Sequence, residues 1–154
     1  MKTNAARILT AWGIPYDLIE YQTDEDRLDA VSVADAIGAE RESVFKTLVA
    51  RGDRTGICVF VIPGPSELDA KKAAAVSGNK SIALVSVRDL FPLTGYVRGG
   101  CSPIGMRKRY PTWIDETAQA FDAVFVSAGI RGLQMRIDPH DLCRAVEGTW
   151  ADLV

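Results

Sequence analysis

Histidine, cysteine and long apolar runs are scarce in this chain of 154 residues, and each scarcity removes a class of function. There is one histidine, His140, and there are three cysteines, Cys58, Cys101 and Cys143, separated by 43 and 42 residues with no CxxC between them. An odd, widely spaced set argues against a disulfide framework, and so few soft ligands argue against a structural zinc site. Neither a metal nor a cofactor is expected. No run reaches 18 apolar residues, so no membrane-spanning helix is expected. The basic start, Met1 to Arg7, leads to no apolar stretch of signal-peptide length, and a soluble, cytoplasmic protein is the expectation. The phosphate-loop pattern GxxxxGK[ST] and the nucleophile elbow GxSxG are missing too. Net charge is small: 18 basic against 20 acidic side chains give -2, which fits neither a wholly basic nucleic-acid binder nor an acidic disordered tail.

What is present is enough apolar residue, 47%, to bury the core of one domain spanning residues 1–154. Ala5, Ile8, Leu9 and Trp12 recur at helical spacing, which predicts a core-packed helix over 3–12, followed by a short strand over 16–21 and an acidic loop over 22–29. Ser32 with Asp35 resembles a helix cap before Gly38. Residues 44–50 and 57–62 read as an antiparallel strand pair, the second apolar on both faces and so central. Ser66 with Asp69 opens a helix that Gly78 stops, residues 82–85 read as a strand, and Ser86 opens a short helix that closes before Pro92. Two more strands, 123–127 and 133–137, flank a turn over 129–132, and Asp138-Pro139 starts a last helix. Without a βαβα rhythm, these elements imply a mixed α+β domain with a largely antiparallel sheet.

Charge is unevenly laid out. Residues 46–109 carry 11 basic and 4 acidic side chains, a difference of +7, whereas residues 1–42 carry 4 and 9, a difference of -5. Arg98, Arg107, Lys108 and Arg109 frame a glycine-rich loop over 95–111 with no acid among residues 95–110, an arrangement suited to phosphates or to a solvated basic face. Its centre, Gly99-Gly100-Cys101-Ser102-Pro103-Ile104-Gly105, can converge backbone N–H groups on an anion, or can be a structural turn. Lys46 stands inside an apolar strand, where its head either reaches an edge or neutralises an anion in a cleft. His140 and Asp141 are neighbours at a helix start and cannot orient one another toward Ser102 as a triad requires. Cys101 lacks an evident base, and Cys58 reads as core packing.

Four blocks together resemble the YbaK/EbsC family of aminoacyl-tRNA deacylases, relatives of the prolyl-tRNA synthetase editing domain. They are residues 44–48 with the lysine, 68–72, the loop over 95–105 with its basic trail and Pro111 to Asp115, and the turn Ser127 to Leu133. The loop block is the specific one. The resemblance implies one mixed domain with a curved, mostly antiparallel sheet surrounded by helices. It also implies hydrolysis of the ester of mischarged tRNA, Cys-tRNA(Pro) foremost, because cysteine and proline are too alike in size for one pocket to separate. By resemblance, Lys46 orients the acceptor end while the N–H groups of Gly100 and Cys101 hold the carbonyl oxygen. Tyr21 corresponds to a pocket tyrosine, and Gly129, Arg131 and Gly132 to a turn closing the site. Thr47, Gly99, Ser102, Pro103 and Gln134 complete the substrate contacts, and Arg98, Arg107, Lys108 and Arg109 face the RNA. Gln134 stands where some members carry an acid, and Arg107 where a lysine is common. The implied partners are tRNA(Pro) and, less directly, prolyl-tRNA synthetase. The alternatives are a deacylase for another substrate such as Ala-tRNA(Pro), a phosphate- or tRNA-binding module without turnover, and a hydrolase using Cys101 or Ser102.

Overall fold

Local signals account for most of the elements in the computed structural model, which describes residues 3–154. Met1 and Lys2 of the basic start lie outside these residues. Helix α1 (Asn4–Ala11) begins where the Thr3 side chain accepts the Ala6 N–H, and it buries Ala5, Ala6 and Leu9. Its stripe ends before Trp12, which is 52% exposed rather than in the core as its spacing predicts. Strand β1 (Asp17–Glu20) follows, then α2 (Ala30–Ile37). The cap of α2 is Asp29, not Ser32: the Asp29 carboxylate accepts both the N–H and the hydroxyl of Ser32, at 3.0 and 2.8 Å. Those bonds hold the Asp29 carboxyl below its usual pKa.

Strands β2 (Phe45–Gly52) and β3 (Gly56–Pro63) pair antiparallel along their whole length. Helix α3 (Ala70–Ser77) is capped by Asp69, three residues later than Ser66, because the Asp69 carboxylate takes the N–H groups of Lys71 and Lys72. Strand β4 (Ile82–Leu84) is short. Helix α4 (Val87–Thr94) is capped by Ser86 as expected but runs through Pro92 instead of closing before it. One missing N–H in the last turn does not end a helix whose stop is the left-handed Gly95. Beyond the long loop come β5 (Thr112–Asp115), β6 (Val124–Ser127), β7 (Leu133–Ile137), α5 (Pro139–Val146) and β8 (Thr149–Ala151). Neither β5 nor β8 is expected from the sequence.

The mixed α+β class stands, built from two sheets rather than one. Strands order as β1-β7-β6 in the first and β4-β2-β3-β5-β8 in the second, with β3 central as its apolar faces require. Antiparallel pairing holds except beside β5, which runs parallel to both β3 and β8. Among the described residues a single parallel bridge, Val44 with Phe125, joins the sheets. The main core lies between them: Phe45, Val49, Val59, Val61 and Ile114 meet Val126, Leu133, Met135 and Ile137, with Leu9 and Leu142 closing the ends. Each such side chain contributes about 1.5–3 kcal/mol when fully buried. On the far face of the larger sheet, Phe60, Ile62 and Cys58 pack under α3, and Phe60 stacks on Trp113 with ring centroids 5.6 Å apart.

Candidate functional site

The site forms at a gap in strand pairing. One edge of β2 is covered throughout by β3. On the other edge, Val44 bridges to β6 and Ala50–Gly52 pair with β4, while Val49 accepts the Val85 N–H. Lys46, Thr47 and Leu48 have no strand partner on that edge among the described residues. Side chains from four other segments fill in around them: Leu28 to Ala30 at the start of α2, Gly99 and Cys101 from the long loop, Ser127 at the end of β6, and Gln134 in β7. They enclose a cleft of about 170 Å³ together with Lys46 and Thr47.

Its polar chemistry is unfinished by the protein itself. The buried Thr47 Oγ1 and Gln134 Oε1 have no hydrogen-bond partner among the described residues, although Gln134 is only 5% exposed. A buried acceptor left unmatched costs about 1–3 kcal/mol, so both atoms are available to a polar group that enters the cleft. Lys46 makes no ion pair among the described residues. Desolvation lowers its pKa, and the charges of Glu67 and Asp29 pull it partly back.

The glycine-rich loop is held by its own bonds and by close packing. Tyr96 donates its hydroxyl to the Ile104 carbonyl at 2.6 Å, and burial pushes the Tyr96 pKa up to about 12. A Cβ on Gly100 would stand 3.0 Å from the Arg131 nitrogen and from the Ile130 carbonyl carbon, so loop and turn meet backbone to backbone. Gly129, at φ +109°, leaves the space that Tyr96 occupies: a Cβ there would lie 2.9 Å from Tyr96 Cε1. Arg131 Nε donates to the Arg98 carbonyl at 2.9 Å, locking the same junction.

Three of the residues expected at the site have their groups bonded or placed elsewhere. The Gly100 N–H is unavailable to a carbonyl oxygen because it donates to Val97 O at 2.9 Å, whereas the Cys101 N–H has no acceptor among the described residues. Ser102 is fully buried, and its hydroxyl accepts the Ile104 N–H instead of facing the cleft. Pro103 lines a separate hollow beside Trp12 and Lys108. Tyr21, Arg131 and Gly132 lie together next door, with the Tyr21 N–H bonded to Gly132 O. Of the basic residues, Arg107 covers the Phe91 ring at 4.7 Å and Arg109 pairs with Glu147, while Arg98 and Lys108 are exposed without an ion pair among the described residues. His140 sits away at the α5 start, edge-on to Trp150.

Burial disfavours the nucleophilic thiolate of Cys101. Burial, opposed in part by Thr94, raises its pKa to about 12, and Cys58 and Cys143 are raised as well. All three thiols are free. Iodoacetamide at pH 7.5 is therefore expected to alkylate Cys101 at least about tenfold more slowly than free cysteine, as read by intact mass, because only the thiolate reacts. Stoichiometric labelling of Cys101 within minutes would contradict its assignment as an inert lining residue.

Residues 24–145 match the family model described as an aminoacyl-tRNA editing domain. The chain belongs to the aminoacyl-tRNA editing domain family. The enzyme class expected above, an aminoacyl-tRNA deacylase, stands on this membership. A curated Enterococcus faecalis protein named as a candidate Cys-tRNA(Pro)/Cys-tRNA(Cys) deacylase, EbsC, is 47% identical over 152 residues, covering 99% of this chain and 93% of its own. A proline–tRNA ligase of Shouchella clausii is 24% identical over 117 residues, which are 76% of this chain and 20% of the ligase. A crystal structure of a candidate trans-editing enzyme for prolyl-tRNA synthetase superposes with a TM-score of 0.85 at 26% identity, covering 99% of this chain and 98% of that one.

Within this editing domain, sequence reasoning missed Asp29, Gly64 and Ser127 as cleft residues. Asp29 reads as one more acid in a loop, and its capping bonds to Ser32 show only in the geometry. Gly64 looked like a strand breaker, yet its lack of a side chain lets α2 approach: a Cβ there would lie 2.7 Å from the Ala30 Cβ and 2.9 Å from Val44 O. Among the described residues no cluster of three or more His, Cys, Asp or Glu could hold a metal, and no helix is long and apolar enough to cross a membrane.

Proposed function

We propose that this editing domain hydrolyses Cys-tRNA(Pro), acting on the tRNA after the synthetase has released it. The observation that carries the reading is the pair of unmatched buried atoms, Thr47 Oγ1 and Gln134 Oε1, beside a partly desolvated lysine in a cleft of about 170 Å³. A cleft this small suits a small aminoacyl group, and the two oxygens suit its α-ammonium. Lys46 offers its positive charge to the ester oxygen or the adjoining phosphate, and the Cys101 N–H takes the carbonyl oxygen. The neutral Gln134, in place of an acid, binds the ammonium by dipole alone. Arg98 and Lys108, exposed on the loop, meet RNA phosphates.

No protein nucleophile is required. The cysteinyl thiol of the substrate attacks its own ester: a sulfur–carbon bond forms to the carbonyl carbon, the ester C–O bond breaks, and the thiol proton passes to the departing ribose oxygen. Free tRNA and a thiolactone result, and water opens the thiolactone to cysteine.

Purified protein is expected to release cysteine from Cys-tRNA(Pro) at least about a hundredfold faster than the blank, to act more slowly on Ala-tRNA(Pro), and to spare Pro-tRNA(Pro). A gel shift of tRNA with no shortening of the ester lifetime would identify a binding module instead.

A further inference from the structure

We propose that an apolar pocket on the other side of Lys46 receives the 3′-terminal nucleoside of the tRNA, with the base between leucines and the ribose against Glu67. The proposal rests on the deacylase reading above and extends it to a part of the substrate that the cleft cannot hold. The pocket measures about 360 Å³ and is lined by Leu48, Glu67, Leu68, Ala70, Ile82 and Leu84, with Lys46 as the wall it shares with the cleft. Lys46 and Leu48 are two residues apart in β2 and point to one face, whereas Thr47 points to the other. The lysine therefore stands between a polar space and an apolar one.

The division matches the chemistry of an aminoacyl ester. One end is small and polar, the other is a flat base on a ribose, and the charge-bearing linkage lies between them. The cleft falls below the roughly 300–1,000 Å³ usual for ligand sites, and the pocket falls within that range. Leu84 is 57% exposed on the short edge strand β4, a large apolar side chain left open to water. Flat bases taken out of a stack are commonly held between apolar or aromatic side chains. Glu67 is the one carboxylate in the lining and can accept a hydrogen bond from a free ribose hydroxyl. A larger hollow of about 890 Å³ also adjoins the cleft, through Val33, but it is walled by Asp24, Glu25, Asp26 and Asp35 and would repel a phosphodiester.

Adenosine 5′-monophosphate is the probe, since tRNA ends in adenosine. In amide NMR spectra of the full chain it is expected to shift the signals of Leu48, Leu68, Ile82 and Leu84, and in the deacylation assay to compete with Cys-tRNA(Pro). Leu84→Gln, a neutral change at an exposed position, is expected to weaken binding of the probe roughly tenfold and to raise KM similarly, with the smaller effect on kcat. Glu67→Gln should weaken the probe as well, which keeps the test open if one variant folds poorly. Shifts centred on the acid-walled hollow, or unchanged affinity in a folded Leu84→Gln, would overturn the proposal. The two readings fail separately. Binding of the probe at the leucines without turnover by the wild type refutes the deacylase and keeps the pocket, whereas turnover with KM unmoved in Leu84→Gln refutes the pocket and keeps the deacylase.

Discussion

Lys46→Met is expected to lower kcat/KM for Cys-tRNA(Pro) by at least about a hundredfold and, at the same time, to raise the melting temperature slightly. The loss follows from removing the one cationic side chain of the cleft, a change comparable to deleting an oxyanion donor, which costs about 10²–10³ in rate. The gain follows from linkage. Desolvation holds the Lys46 pKa in the folded chain below its value when unfolded, against the pull of Glu67 and Asp29. Between the two pKa values the unfolded chain binds more protons than the folded one, so stability rises as pH climbs through the folded pKa. Below both pKa values the penalty is fully present, and methionine removes it while keeping the length of the side chain. The half-buried head is still screened by water, so the gain is small, about 0.5 kcal/mol or less. Reversible thermal unfolding and single-turnover deacylation on the same preparations check both halves. A variant that kept its activity would overturn the role of the lysine, and one that lost several degrees would show it to be a packing residue.

Gly100→Ala carries the second large effect. Gly100 is not in the left-handed region, so the substitution acts by contact alone. Its new Cβ would stand 3.0 Å from backbone atoms of Ile130 and Arg131, which cannot rotate aside as a side-chain tip can. Loop and turn must separate by a few tenths of an ångström, at about 1–3 kcal/mol. The Cys101 N–H moves with its neighbour, so kcat/KM is expected to fall about tenfold or more. Denaturant titration and the deacylation assay report the two losses, and full retention of both would show that the junction is softer than its contacts imply.

Much of the fold is legible in the amino-acid sequence. The β2–β3 hairpin, with β3 central, follows from two apolar runs about a polar turn, and α5 from Asp138-Pro139. Lys46 stands out because a lysine interrupting such a run needs a reason. The caps at Asp29 and Asp69 were misplaced to serines because hydroxyl and carboxylate compete for the same N–H groups, and only geometry shows which wins. The roles expected of Gly100, Ser102 and Pro103 were read from a loop whose composition says that it turns, without saying which of its groups are spent on turning. The pairing gap itself has no local signature. It arises because β4 is too short to cover β2 and β6 bridges the chain only at Val44, just before β2 begins, two facts set by distant parts of the chain.

That uncovered stretch of β2 has a consequence for life at high concentration. A free strand edge is a template on which a second copy can add its own strand, the first step of aggregation, and proteins commonly guard such edges with lysine and proline. Here Lys46 lies within the open stretch, and Pro63-Gly64-Pro65 terminates the neighbouring strand. On the reading proposed above, the ammonium offered to the substrate is also a charge set on an open edge, so Lys46→Met would remove both and its gain in stability is expected to come with a greater tendency to self-associate.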